Sequence, residues 1–176
     1  MQALVRAFDA RVDAAFDKVR GDPVADRIFY GASEVADFGL VWVILAAARG
    51  LRGGPRDERA AVRAIVGTGV ESVVVNAGLK SLIGRHRPRR HDPHPHRLRQ
   101  PLTSSFPSGH ATAAFCAAVL LSDGDPLAPL YFAAATVVAA SRVHVKIHHP
   151  SDVAAGIAIG LGLGWLGRRL APLDRA

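Results

Sequence analysis

The sequence predicts an all-α protein, an integral membrane bundle of about six helices forming a single domain over residues 1–176. Three observations predict it. Nearly half the chain, 49%, is hydrophobic, yet aromatics make up only 6%, so the apolar content is Ala, Gly, Val and Leu. Small residues of this kind let helices pack closely in a bilayer. Five apolar segments alternate with polar connections, a pattern too apolar for a soluble domain of this length. Finally, the polar residues fall at segment ends rather than on one face throughout.

The first 21 residues do not read as a cleaved leader, because Asp9, Asp13 and Asp17 interrupt any apolar core. Leu4, Phe8, Val12, Phe16 and Val19 recur at helical spacing. This predicts an amphipathic helix, either lying at the membrane interface or packed on the bundle. The five spanning candidates follow at Ile28–Ala48, Ala61–Ile83, Ala111–Leu121, Leu127–Val143 and Val153–Leu166. Several need their polar ends to approach the roughly 20 residues of a span. Gly50–Arg59 and Arg85–Ser105 read as basic loops, the second dense in Arg, His and Pro, and Ser122–Pro126 reads as a tight turn. Gly156, Gly160 and Gly164 share one helical face. Packing inside the chain is favoured there, with a homo-oligomer through the same face as the alternative.

The net charge of +7 does not imply nucleic acid, since the arginines sit in loops between apolar runs and no nucleic-acid-binding motif is present. The lone Cys116 lies in an apolar run and excludes an intrachain disulfide. The opposite end carries Arg49, Arg52, Arg56, Arg59, Arg63, Arg168, Arg169 and Arg175, but the other side is also basic, so charge alone does not orient the chain.

Three polar signatures stand at segment edges: Lys80 with Arg87-Pro88; Pro107-Ser108-Gly109-His110; and Ser141-Arg142 with His148 and Asp152. If each segment crosses once, all three emerge on one side. Their chemistry suits phosphate. Lys80, Arg87 and Arg142 supply a point charge and two bidentate forks. Ser108 and Gly109 open a helix whose free N–H groups attract an anion, with Pro107 placed in its first turn. His148 is the candidate nucleophile, with Asp152 accepting its other ring N–H. His110 is the candidate general acid and base. No metal or other cofactor is required. His91, His94 and His96 in the long loop read as solvated rather than metal-binding, and His144 and His149 are placed to line the pocket without an assigned role. Glu34 and Asp37 are placed to partner Lys80 or an arginine, and Glu71 is a further carboxyl inside an apolar segment.

These three signatures, in order and at these spacings, resemble the complete motif set of the type 2 phosphatidic acid phosphatase superfamily. The resemblance spans Lys80–Asp152 and implies a helical membrane enzyme. It also implies a metal-independent phosphohistidine mechanism and an active site on the extracytoplasmic side. The implied reaction is hydrolysis of a lipid mono- or diphosphate, polyprenyl or glycerolipid, so the expected partners are a lipid phosphate and the membrane. Small relatives act on polyprenyl phosphates, including decaprenylphosphoryl-phosphoribose. The same constellation also serves vanadium-dependent haloperoxidases, which are large and soluble. A third reading is a non-catalytic membrane protein that binds lipid phosphates, against which His110, His148 and Asp152 all stand.

Overall fold

The computed structural model describes residues 2–88, 95–96, 98 and 103–173, and every regular element among them is helical. The helices are α1 (Gln2–Asp17), α2 (Pro23–Val35), α3 (Leu40–Gly50), α4 (Pro55–Leu82), α5 (Gly109–Leu121), α6 (Ala128–His144) and α7 (Pro150–Leu170). Two of them, α4 and α7, are long and apolar enough to cross a membrane by length and composition. A third span results if α2 and α3 are taken together. The five spans read from the sequence are therefore not all present as long continuous helices.

The first apolar segment is where the difference is largest. It is bent by 61° between α2 and α3. Asp37–Gly39 form a short 3-10 turn there, with Phe38 at φ 58 and Gly39 at φ 70. Left-handed residues cannot continue an α-helix, and for Phe38 that backbone is itself costly. The bend turns Asp37 towards the inside of the bundle.

Helix α5 is the axis of the molecule. Its 13 residues span about 20 Å and nearly all are buried. It packs on α4, α6 and α7. A helix apolar on every side is stable only when surrounded. The glycine face of α7 makes this possible. A Cβ at Gly156 would stand 2.7 Å from the Ser108 carbonyl, and one at Gly160 would stand 2.4 Å from the Thr112 carbonyl. At Gly164 the clash would be with Val119, at 2.7 Å. The glycine face is thus packed against α5, the use inside the chain that the sequence favoured.

The core is built from small residues such as Ala46, Ala64, Ala114, Ala117 and Ala135, while Ile28, Ile44, Val66, Val70, Leu130 and Trp165 face outwards. This distribution suits a lipid environment, where the outer surface gains from being apolar and close packing holds the helices together. Helix α1 packs on the bundle by part of its apolar face. Val12 and Phe16 pack on the core, whereas Leu4 and Phe8 are exposed.

The end of the molecule near the α3–α4 loop is pinned by ion pairs. Arg49 is fully buried and donates to the carbonyls of Leu121 and Asp123, and Arg63 donates to the carbonyl of Leu120. These guanidiniums satisfy the carbonyls that α5 leaves open at its C-terminus. Asp125 accepts from Arg52 and Tyr131 and is held down at about 2, because those donors and the Leu127 amide outweigh its burial. Arg168 donates to Ser122 Oγ at 2.8 Å. Arg175 lies outside the described residues.

Candidate active site

The opposite end holds a cavity of about 660 Å³. Lys80, Arg87, Gly109, His110 and His148 all line it, so the three sequence signatures converge. Ser108, Arg142 and Asp152 lie behind this lining and are buried.

Each side chain is placed by its element. Helix α4 widens into a π turn over Val74–Leu79 just before Lys80, a distortion that re-aims the residues after it. Lys80 Nζ donates to Asn76 Oδ1 at 2.8 Å. It also lies 3.1 Å from where a Gly109 Cβ would be, so only glycine leaves the ammonium this close to the start of α5. Pro107 stands outside α5, after a cis Phe106–Pro107 bond, instead of in its first turn. Ser108 is the N-cap: its Oγ accepts from the Ala111 amide at 3.4 Å, and its own N–H goes to the Asp152 carbonyl at 3.1 Å. The serine hydroxyl is therefore turned to the helix, and the open first-turn N–H groups belong to Gly109 and His110.

His148 is held differently from a simple His–Asp pair. Its Nδ1 is 3.8 Å from Asp152 Oδ2, too far for a hydrogen bond, and 2.7 Å from the Ser105 carbonyl. The ring N–H is donated to that carbonyl. Asp152 acts one step further back, accepting from Ser105 Oγ and from the His149 amide at 2.8 Å. With Nδ1 protonated, Nε2 is the acceptor nitrogen, and Arg87 Nη1 donates to it at 3.3 Å. Burial pushes His148 down to about 3; the Arg142 and Arg87 charges add to this, and Asp152 opposes it. The ring is therefore neutral across the physiological range.

The cations are fixed before any ligand arrives. Arg87 donates to the carbonyls of Ile147 at 3.0 Å and Thr103 at 3.1 Å. Arg142 donates to Ser33 Oγ through Nη1, while its Nε and Nη2 are buried and have no partner among the described residues. Buried guanidinium donors without acceptors are unfavourable unless an anion completes them. His110 Nε2 lies 2.9 Å from Asp37 Oδ1. Asp37 thus holds the histidine, and its charge also acts on Arg142, an arginine as expected, whereas Glu34 is exposed.

Other histidines take structural places. His144 is buried, bonds Asp26 at 2.7 Å and stacks on Phe29, tying α6 to α2. His149 caps α7, and His96 packs on Tyr30. His91 and His94 lie outside the described residues.

The sequence reading missed Arg85, Asp9 and Ser105. Arg85 donates to Asp152 Oδ1 at 2.6 Å and to Asp9 Oδ2 at 2.8 Å. Asp9 also accepts from the Ser151 amide at 2.7 Å. Helix α1 is thereby locked to the start of α7, next to the catalytic candidates. Asp9 was visible only as a charge breaking an apolar stripe, and Arg85 only as one arginine among many in a basic loop.

A sequence model of the PAP2 superfamily matches residues 60–175, across all three signatures. The chain belongs to the PAP2 superfamily. It is 34% identical over 134 residues to decaprenylphosphoryl-5-phosphoribose phosphatase of Mycobacterium tuberculosis, covering 76% of this chain and 73% of that protein. It is 32% identical over 159 residues to the enzyme of the same name from Mycolicibacterium smegmatis, covering 86% and 82%. Two solved structures share the fold, each at 24% identity. One is a transmembrane PAP2-type phosphatidylglycerolphosphate phosphatase from Bacillus subtilis, with TM-score 0.74 over 98% of this chain and 88% of that one. The other is LpxE of Aquifex aeolicus, with TM-score 0.73 over 91% and 94%. The protein is a membrane-embedded phosphatase of the PAP2 superfamily.

Proposed function

We propose that this PAP2 protein hydrolyses a phosphate monoester on a polyprenyl-type lipid, through a phosphohistidine at His148 and without a metal ion. The tautomer of His148 carries the reading: Nδ1–H bonded to the Ser105 carbonyl leaves the lone pair on Nε2, which Arg87 holds until a phosphate takes the guanidinium's donors. In the first step Nε2 attacks phosphorus in line, and the phosphorus–oxygen bond to the lipid breaks. His110, with Nε2–H held by Asp37 and a second proton on Nδ1, gives that second proton to the departing oxygen. In the second step His110 takes a proton from water, which attacks phosphorus, breaks the phosphorus–nitrogen bond and releases inorganic phosphate. Lys80, Arg87, Arg142 and the open amides of α5 balance the charge on the equatorial oxygens.

The lipid part of the substrate has a place. Trp42, Val43, Ile65 and Val73 form apolar walls to the same cavity. Helices α3 and α4 touch closely at Gly50 and Ala61, near their connecting loop. An acyl or prenyl chain fits between them while the phosphate sits on the cradle. The names of the mycobacterial relatives favour a polyprenyl-phosphoryl sugar phosphate as substrate. The bundle crosses the membrane with α1 at the interface, the shorter helices completing the crossings, and the cavity on the extracytoplasmic side.

The test is phosphate release from a panel in detergent: polyprenyl-phosphoryl sugar phosphates, polyprenyl mono- and diphosphates, and glycerolipid phosphates. The sugar phosphate monoesters should turn over fastest, and chelators should leave the rate unchanged. A strict metal requirement would overturn the mechanism.

A further inference from the structure

The cavity holds one group that phosphoryl transfer does not use. Glu71 lines it together with Lys80, His110 and His148. The residue is only 2% exposed, and its Oε2 accepts no hydrogen bond from any described residue. A buried carboxyl oxygen with no donor is unfavourable unless something outside the chain bonds to it. Lys80 acts on Glu71 through its charge but gives its hydrogen bond to Asn76. Thr68 Oγ1 donates to the Ala64 carbonyl at 2.7 Å, and Asn76 Nδ2 donates to Ser72 Oγ at 3.0 Å.

The missing partner must be a donor. A phosphate is disfavoured as that partner, because Lys80, Arg87 and Arg142 already offer it a cradle of donors at the other end of the cavity. A metal ion is disfavoured by a single carboxylate beside Lys80, Arg87 and Arg142. A neutral hydroxyl remains. The order along α4 agrees. Ile65 contributes to the apolar wall, Glu71 follows, and Lys80 reaches back to Asn76 at the phosphate end. Glu71 and Asn76 are about 7 Å apart along the helix axis, a gap that a sugar ring bridges.

We propose that Glu71 accepts hydrogen bonds from hydroxyl groups on the moiety that carries the scissile phosphate. The site then selects a polyhydroxylated headgroup, such as a pentose, over a bare lipid phosphate. Two carboxyl oxygens match two vicinal hydroxyls, as in nucleotide sites where an acidic side chain reads a ribose. This inference rests on the phosphatase reading above and adds the selecting residue.

The experiment compares two synthetic substrates with the purified full chain in detergent: decyl-phosphoryl-ribose 5-phosphate and its 2,3-dideoxy counterpart. The wild type should prefer the hydroxylated compound in kcat/KM by about tenfold or more. Glu71→Ala should bring that ratio close to one, and Glu71→Gln should fall between. Competitive inhibition by inorganic phosphate reports the cradle separately and should persist in both variants. A wild-type ratio near one, or a ratio that Glu71→Ala leaves intact, overturns the inference. So does an equal fall on both substrates with loss of phosphate inhibition, which would make Glu71 a support for Lys80. Release of phosphate from neither compound by the wild type would instead strike the phosphatase reading itself.

Discussion

At the scale of single residues, the account turns on how His148 is kept neutral. Its pKa lies far below the ordinary value of about 6.5 because the ring is buried beside Arg142 and Arg87. Between about 6.5 and about 3 the unfolded chain binds a proton at this ring that the folded chain refuses. Its contribution is complete above that window, and stability is lost as pH falls through it. Thermal unfolding in detergent from pH 7 to 4 should therefore show a steeper loss in the wild type than in His148→Gln. Equal slopes would contradict the neutral, buried ring. Most of the site was legible at this scale, because phosphate chemistry calls for few residue types and the three signatures contain them. The hydrogen bonds were not. Spacing placed Asp152 on His148, whereas Ser105 stands between them. Asp37 was flagged for its charge, but its partner His110 follows from a backbone bend that no periodicity reveals.

At the scale of elements, two helices do work their sequences hide. Helix α1 delivers Asp9 to Arg85, and Arg85 holds Asp152. Arg85 is a positioning residue, since it touches the carboxylate and not the cavity. Arg85→Ala should lower kcat by roughly 10- to 100-fold with little change in KM, and Arg85→Lys should recover part of the loss. Asp9→Asn should add little to Arg85→Ala, because residues in one network are not additive. Independent, additive losses in a double-mutant cycle would dissolve the proposed link. Helix α7 gives the second case. Gly160→Val should destabilise the fold by about 3 kcal/mol or more, since its Cβ would meet the Thr112 carbonyl at 2.4 Å. Gly162→Ala, where nothing lies within 4 Å, should unfold at the wild-type temperature. The glycine spacing was readable in the sequence. That α5 fills the groove was not, because α5 is uniformly apolar and carries no face that names its partner.

At the scale of the whole molecule, the chain divides its charges between two ends. One end uses arginines to close the C-terminus of α5 with Asp57, Asp123 and Asp125 nearby. The other keeps cations partly unmatched around a cavity. An apolar bundle with Ala and Gly inside and Val, Ile and Leu outside joins them. The convergence of three distant signatures was foreseeable from alternating crossings. The number of crossings was not, because the first apolar run is broken at Asp37–Gly39 and α5 is short. The central claim is that His148 becomes the covalent carrier of phosphate. Rapid acid-free quenching of the protein during turnover of a radiolabelled lipid phosphate tests it most directly. The account predicts an acid-labile phosphoenzyme on His148 in the wild type, and neither label nor turnover in His148→Ala. Turnover by His148→Ala, or label carried on another residue, would contradict it.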